Sequence, residues 1–277
     1  MLTGIHASAA GGLGACAARV SAMGIPTAQI FTSNPRRYCD GPVPDAEAEE
    51  FRKLSAGVVF ISHCSYLINM ASFRPDLHKR SSDALRAELA RCSLLGIPLC
   101  VLHPGSATGQ ERGAAIERAA DSIREVLEGC SPSTVLLLEN TVGAGCSLCG
   151  DLSELRDLLR LIGLPGRTGA CIDTAHAHGR GYELDSAKSA ALFCGELHYI
   201  FGASLMAFHL NDSKVERGSG SDRHQRPGEG LIGIDALAEI EAFHGFSGLP
   251  AVLETPGDDG DRLAGLRRIR ERFHALT

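Results

Sequence analysis

Histidines and carboxylates follow short apolar runs at several places along the 277-residue chain. They are His63, His103, Glu139, Asp173 with His176 three residues on, His209 and Glu254. Asp222 and His224 form a further Asp-x-His pair in the polar, glycine-rich stretch after His209. In extended chain, residues two apart point the same way, so this pair can share one ion. Five histidines and four carboxylates without a thiolate suit Zn²⁺, with Mn²⁺ or Fe²⁺ as alternatives.

Eight apolar runs, each followed by a segment of helix length, are the elements that must position these side chains. Their Val, Ile, Leu and Phe content favours parallel strands that are covered on both faces. The predicted strands are residues 2–6, 28–31, 58–63, 99–103, 135–139, 170–173, 206–209 and 251–254. The predicted helices are residues 12–23, 45–55, 75–95, 113–128, 152–162, 186–200, 234–243 and 261–275. Asp151 is placed to cap the helix that follows it, and Gly24, Gly96 and Gly163 are placed to end helices.

Eight strand-plus-helix units of about 35 residues each suit right-handed crossovers. The sequence has no repeat, no interdomain linker and no dinucleotide-binding glycine fingerprint. We therefore predict one α/β domain over residues 1–277, a single (β/α)8 TIM barrel, in preference to a doubly wound sheet. Barrel enzymes carry their chemistry at the C-terminal strand ends, so the nine groups are expected on one rim. Nine ligands are too many for one catalytic ion and fit three.

Composition is that of an ordinary soluble globular protein, with 44% hydrophobic and 22% charged residues. No window approaches the ~18 apolar residues of a membrane span. The N-terminus lacks the features of a secretory signal, which predicts an intracellular, cytoplasmic protein without a membrane partner. Ten scattered cysteines are expected to be reduced, and the Cys146-x-x-Cys149 motif is interpreted as structural or incidental.

The net charge of −6 argues at first against a nucleic-acid partner, because phosphate binding usually shows as an excess of Lys and Arg. Three bound divalent ions would contribute +6 and cancel that deficit, −6 + 6 = 0. The acidic balance therefore does not exclude nucleic acid. The remaining histidines are interpreted as packing or surface residues. His6 also ends a predicted strand, which leaves open a second role for it, in support of the predicted ligands.

Nine stretches of the chain, taken in order, resemble the endonuclease IV family of zinc-dependent apurinic/apyrimidinic endonucleases. They are GIHASAAGGL (4–13), FTSNPRR (31–37), HCSYLINM (63–70), VLHPGS (101–106), LLENTVGAG (137–145), CIDTAHAHGRGYEL (171–184), FHLNDSK (208–214), DRHQRPGEGLIG (222–233) and LETP (253–256). The stretches run nearly from end to end, and together they are highly specific.

The resemblance implies three zinc ions per chain, with Mn²⁺ as an alternative at one site. It implies a first zinc on His63, His103 and Glu139, and a second on Glu139, Asp173, His209 and Glu254. The third would be held by His176, Asp222 and His224. The implied reaction is cleavage of the phosphodiester 5′ to an abasic site in double-stranded DNA, in base excision repair. The products would be a 3′-hydroxyl and a 5′-deoxyribose phosphate, and the enzyme would be a monomer.

The resemblance also implies residues for catalysis and for DNA contact. Glu139 would orient or deprotonate the attacking water. The residues expected to contact DNA are Asn34, Arg36, Arg37, Tyr66 and Arg223. The chain departs from the family where Tyr38 takes the place of a frequent tryptophan, since it has no tryptophan at all.

Two other functions fit part of this pattern. A sugar isomerase or epimerase of similar barrel shape would use one or two ions held mainly by carboxylates, and would lack the Asp222-x-His224 pair. A damage-binding protein would recognise abasic DNA without cutting it, and would not need a water held by paired ions.

Overall fold

Eight parallel strands close a barrel in the computed structural model, which describes residues 1–38 and 41–276. The barrel strands are β1 (Leu2–His6), β2 (Thr27–Ile30), β3 (Val59–His63), β4 (Leu99–Leu102), β5 (Val135–Glu139), β6 (Thr168–Asp173), β7 (Leu205–His209) and, after the hairpin strands β8 (Asp212–Ser213) and β9 (His224–Gln225), β10 (Pro250–Leu253). Each strand pairs in parallel with its neighbours in chain order, and β10 closes the barrel onto β1. The predicted TIM barrel is confirmed.

Helices cover the outside of the barrel. In the described part of the chain they are α1 (Leu13–Met23), α2 (Asp45–Leu54), α3 (Pro75–Leu95), α4 (Arg112–Glu128), α5 (Leu152–Ile162), α6 (Thr174–Arg180), α7 (Ala187–Phe201), α8 (Ile234–Ala242) and α9 (Asp259–Leu276). None of these helices has both the length and the apolar character that a membrane crossing requires. Gly24, Gly96 and Gly163 follow α1, α3 and α5 in the left-handed conformation, as predicted.

The apolar residues inside the barrel show which way the predicted ligands at the C-terminal strand ends point. The inner cluster contains Ile61, Val101, Leu137, Cys171, Ala207 and Val252. Each of these residues lies two positions before a predicted ligand. Because side chains alternate along a strand, the ligand two residues on points into the barrel at its C-terminal end.

The structure differs from the sequence prediction at several boundaries. Strands β4 and β10 end at Leu102 and Leu253, so His103 and Glu254 are the first residues beyond their strands. Helix α6 and the β8–β9 hairpin were not predicted. The capping role predicted for Asp151 is wrong, because its side chain accepts no cap hydrogen bond and instead pairs with Arg180 at 2.8 Å.

Candidate metal centre

A first group of ligand-type side chains joins β3, β4 and β5. The Nε2 atoms of His63 and His103 lie 3.2 and 2.8 Å from Oε2 of Glu139. Glu139 is fully buried, His63 is almost so, and His103 is about one-third exposed. The two nitrogens and the carboxylate oxygen lie close enough to hold one ion.

A second group shares Glu139 with the first. Nδ1 of His209 lies 2.9 Å from Oε1 of Glu139 and 3.1 Å from Oε2 of Glu254. Oδ2 of Asp173 is 3.9 Å from the same nitrogen. Because each oxygen of Glu139 faces a different group, this carboxylate can bridge two ions.

A third group is built from α6 and the β8–β9 hairpin. Nε2 of His176 lies 3.2 Å from Oδ2 of Asp222, and Nε2 of His224 lies 3.2 Å from Oδ1 of the same residue. Oδ2 of Asp173 approaches Nε2 of His224 at 3.4 Å, so Asp173 stands between the second group and the third. All nine predicted ligands are thus brought together, and their assignment to ions is taken up below as a proposal.

Hydrogen bonds to the far side of each ring orient three of the histidines. Nδ1 of His63 donates to the carbonyl of Cys64 at 2.8 Å, and Nδ1 of His176 donates to the carbonyl of Asn140 at 2.9 Å. Nε2 of His209 donates to Oε1 of Gln29 at 2.8 Å. A ring nitrogen that donates to these acceptors keeps its proton, so the other nitrogen, which faces the carboxylates, is the one that can exchange its proton for a metal ion.

Three buried amide side chains that the sequence prediction missed support this arrangement. Nε2 of Gln29 donates to Oε1 of Glu254 at 2.6 Å. The Asn140 side chain accepts from the backbone N–H of Asp173 at 2.7 Å, and the Asn211 side chain donates to Oδ2 of Asp173 at 2.6 Å. Asn140 and Asn211 follow strand ends that carry a ligand, which is a signal visible in the sequence.

His6 also contacts the site. Its Nδ1 lies 3.1 Å from Oε1 of Glu254 and 3.0 Å from Nε2 of Gln29. Of the two interpretations left open for His6, the structure favours the supporting role, because His6 contacts the carboxylate of Glu254.

The charge of Glu139 is stabilised by the histidines around it. Burial alone would raise the pKa of Glu139, but His103 and His209 outweigh burial and hold the pKa well below its ordinary value. Burial alone would lower the pKa of His209, but the neighbouring Cys171 and Glu254 outweigh it and raise the pKa well above its ordinary value. The site therefore favours the anionic carboxylate and attracts positive charge.

The third group has the same electrostatic character. Burial would lower the pKa of His176, but Asp173 and Asp222 outweigh it and raise the pKa well above its ordinary value. Burial would raise the pKa of Asp222, but His176 and His224 outweigh it and lower the pKa. Protons and cations compete for the same lone pairs in such a cluster.

The residues present fit bound metal ions. Within the described residues, the buried Nε2 of His224 has no hydrogen-bond partner, although two carboxylate oxygens lie within 3.4 Å. A lone pair aimed between carboxylates fits a cation, and nitrogen and oxygen donors suit zinc. A separate group of Glu88, Cys92 and Cys100 is less suitable, because Glu88 already pairs with Arg91 at 2.8 Å.

The residues predicted to contact DNA lie on the loops of the same rim. Asn34, Arg36 and Arg37 are exposed on the loop after β2, where Oδ1 of Asn34 accepts from the backbone N–H of Arg36 at 2.9 Å. The Tyr66 side chain is 59% exposed, with its ring centroid 5.7 Å from that of His63. Arg223 is exposed between the two hairpin ligands. Their part in DNA binding stays a prediction.

A closed TIM barrel with three adjoining groups of histidines and carboxylates at its C-terminal rim defines a metal-binding barrel enzyme. Comparison with known proteins gives the same barrel, since residues 17–275 match the family model described as xylose isomerase-like TIM barrel. The chain belongs to the endonuclease IV family. It is 41% identical over 281 residues to a probable endonuclease 4 of Nitratidesulfovibrio vulgaris, covering 98% of this chain and 99% of the relative.

Solved structures give the same relationship. The crystal structure of endonuclease IV from Thermus thermophilus is 30% identical, with a TM-score of 0.86, and covers 99% of this chain and 100% of that one. A D-tagatose 3-epimerase-like protein is 17% identical, with a TM-score of 0.73 over 100% of this chain and 98% of that one, which shows a shared fold alone. The predicted family and the predicted class, a nuclease of DNA repair, are confirmed.

Proposed function

We propose that this enzyme hydrolyses the phosphodiester 5′ to abasic sites in double-stranded DNA by a three-zinc mechanism. The products would be a 3′-hydroxyl and a 5′-deoxyribose phosphate. The observation that carries the proposal is the sharing of Glu139 and Asp173 among three adjoining groups of ligand-type side chains. That arrangement matches the chemistry of a phosphodiesterase, which must hold both the attacking and the leaving oxygen.

The proposed ligand sets follow the three groups. The first zinc would be held by His63, His103 and Glu139, and the third by His176, Asp222 and His224. The second would be held by Glu139, Asp173, His209 and Glu254. Mn²⁺ is an alternative at one of them. Bound zinc supplies Lewis-acid stabilisation of the phosphate and a lowered pKa for a bound water.

Glu139 is better suited to orientation than to proton transfer. Its Oε2 faces His63 and His103, and its Oε1 faces His176 and His209. A carboxylate with both oxygens committed and a depressed pKa remains an anion. We propose that Glu139 fixes the relative positions of the two sites that it joins and orients the attacking water.

The loops of the rim would hold the damaged strand. Arg36, Arg37 and Arg223 offer exposed cations for phosphates, and Tyr66 offers an exposed ring face next to His63. A cleft of about 1070 Å³ lies beside the centre, between the loops that follow β1, β2 and β10. Extruding an abasic nucleotide toward such a rim costs little free energy, because the nucleotide has no base to unpair or unstack.

The two alternatives receive less support. A sugar epimerase shares the fold, but its expected ligand set would not need Asp222 and His224. In this structure Asp222 lies 3.2 Å from both His176 and His224, as part of one group. A protein that only binds damage would not need a carboxylate placed to bridge two ions.

The test combines metal counting with incision of a duplex that contains one abasic analogue. We expect about three zinc per chain and a single cut on the 5′ side, with an undamaged duplex left intact. His224→Ala should lose one ion and lower kcat by about 100-fold or more, on the scale of losing one transition-state stabiliser. His274 is an exposed histidine on α9, so His274→Ala is the matched control. This variant should keep all its ions and the kcat of wild type. One ion per wild-type chain and no cleavage would exclude the proposal.

A further inference from the structure

Asp212 is a fully buried carboxylate that belongs to none of the three ligand groups. It lies in β8, three residues after the ligand-type residue His209. Its two oxygens accept five backbone N–H groups. Oδ1 accepts from Ser213 at 2.8 Å, Ile232 at 3.0 Å and Gly233 at 3.2 Å, and Oδ2 accepts from Gly228 at 2.9 Å and Gly230 at 3.1 Å.

The segment 226–233 is thus folded around one side chain. Four of the five donors come from this segment, and a carboxylate that accepts several backbone N–H groups makes strong, charge-assisted hydrogen bonds. No neutral side chain offers acceptors on both oxygen positions. An asparagine in this place would turn an N–H₂ group toward backbone donors.

The glycines of the segment are required by this wrapping. A Cβ atom on Gly230 would lie 2.4 Å from Oδ1 of Asp212 and 2.4 Å from the carbonyl oxygen of Ser213. Gly228 and Gly233 have φ angles of +80° and +84°, in the left-handed region that favours glycine. The sequence G-E-G-L-I-G therefore closes tightly on the carboxylate.

The wrapped segment is continuous with the strand that carries a ligand. Strand β9 pairs antiparallel with β8, with Asp212 opposite Gln225 and Ser213 opposite His224. The backbone N–H of Leu231 donates to the carbonyl of Ser213 at 2.7 Å and ties the far end of the segment to the same strand. The chain that follows β9 is thereby bound to Asp212 in β8, which fixes the C-terminal side of the hairpin.

We propose that Asp212 is the positioning residue of the third metal site. By fixing segment 226–233, its carboxylate holds β9 so that His224 and Asp222 face His176. The inference rests on the proposed three-ion function. It assigns to Asp212 no contact with metal or substrate, because its oxygens are already occupied by the backbone.

Metal stoichiometry tests this inference apart from activity. Wild type, Asp212→Asn and the matched control Asp235→Asn are equilibrated with zinc buffered by a chelator and counted by native mass spectrometry. Asp235 lies at the start of α8 and pairs with Arg272 at the surface, so its variant should keep about three ions. Asp212→Asn should keep two and bind the third at least tenfold more weakly.

A second variant and a measurement on wild type guard against misfolding. Gly230→Ala leaves the charge of Asp212 in place but drives the segment away from it, and should lose the same ion. In wild type freed of metal, hydrogen exchange should be slow at the amides of Gly228, Gly230, Ile232 and Gly233, because Asp212 holds them before metal binds.

The outcomes are distinguishable. Fewer than three ions in wild type would overturn the three-zinc mechanism on which this inference rests. Three ions in wild type and in a folded Asp212→Asn or Gly230→Ala variant, at unchanged affinity, would overturn the role of Asp212. So would loss of all three ions from a folded variant, or fast exchange of these amides in metal-free wild type.

Discussion

At the scale of single residues, the centre depends on which ring nitrogen of each histidine carries the proton. His209 is the clearest case, because Gln29 accepts from its Nε2 while its Nδ1 faces Glu139 and Glu254. The same amide donates to Glu254, so Gln29 orients two ligand-type side chains of one group at once. Such outer contacts fix the tautomer and the direction of a metal-binding histidine.

Replacing Gln29 by leucine should therefore weaken one ion selectively. Leucine fills the space but cannot accept from His209 or donate to Glu254. We expect the affinity of the second site for zinc to fall by about 10–100-fold, the usual cost of losing such an outer contact. Chelator competition measures this directly.

Gln110→Leu is the matched control for that change. Gln110 donates to the carbonyl of Ala71 and not to a ligand-type side chain, so its loss should leave all zinc affinities unchanged. Equal zinc binding by Gln29→Leu and wild type would show that Gln29 does not orient the second site.

The ligand-type residues were predictable from sequence, and the amides that orient them were not. Glu139 and His209 end apolar strands, in which side chains alternate between the two faces. A polar or charged side chain at the C-terminal end of a barrel strand usually has a catalytic or binding role. Gln29 lies within a strand, and its contact with His209 spans 180 residues. Only barrel closure brings those two positions together.

At the scale of elements, helix α3 supports the loop after β2 through a buried ion pair. Glu88 accepts from Thr32 at 2.6 Å, from Ser62, and from Arg91 at 2.8 Å. Arg91 donates in turn to Ser33 at 3.2 Å. Thr32 and Ser33 begin the loop that carries the predicted DNA contacts, so α3 fixes the base of that loop.

Glu88→Ala should destabilise the fold strongly. Removing one partner of a buried ion pair leaves the other charge uncompensated, which typically costs about 3–5 kcal/mol. Chemical unfolding should show this loss, together with weaker binding of abasic DNA as the loop after β2 loosens.

A surface carboxylate gives the comparison for Glu88. Glu125 pairs with Arg86 at 2.8 Å but is 74% exposed, and exposed pairs contribute about 0–1 kcal/mol. Glu125→Ala should therefore be nearly neutral. If Glu88→Ala and Glu125→Ala lowered the free energy of unfolding by similar amounts, the ion pair on α3 would not anchor the loop after β2.

Elements whose stability comes from tertiary contacts escaped prediction. Helix α6 has seven residues and a run of small and polar side chains, and it begins where Asp173 accepts the backbone N–H of His176. The β8–β9 hairpin has two residues per strand, and the chain that follows it is folded around the carboxylate of Asp212. Neither has a periodic apolar pattern, which is the signal that predicted the longer helices and strands.

At the scale of the whole molecule, barrel closure concentrates charge at one rim. Glu139 and Asp173 are fully buried, and Glu254 and Asp222 lie beside them. In protein stripped of metal by a chelator, protonated histidines must balance these carboxylates. The pKa values of His176 and His209 are raised because their positive charge balances the carboxylates. Bound zinc would supply that positive charge instead.

Metal removal should therefore lower stability, and more so at higher pH. Because the folded pKa values of His176 and His209 are raised, their protonation stabilises the metal-free fold below the unfolded value of about 6.5. That stabilisation is lost as the pH rises through the raised folded pKa values. Zinc affinity rises over the same range, because fewer protons compete for the ligands. The gap in thermal midpoint between zinc-loaded and stripped protein should widen from pH 6 to pH 9.

Differential scanning calorimetry at several pH values measures this gap. At a free zinc concentration about 100 times Kd, each ion adds about 2.7 kcal/mol, and each kcal/mol shifts the midpoint of a protein this size by about 2–4 °C. Magnesium in place of zinc controls for ionic effects and should restore little, because nitrogen-rich sites bind it poorly. Parallel curves for loaded and stripped protein across this range would contradict the prediction, since they would mean that the charges at the rim are balanced without metal.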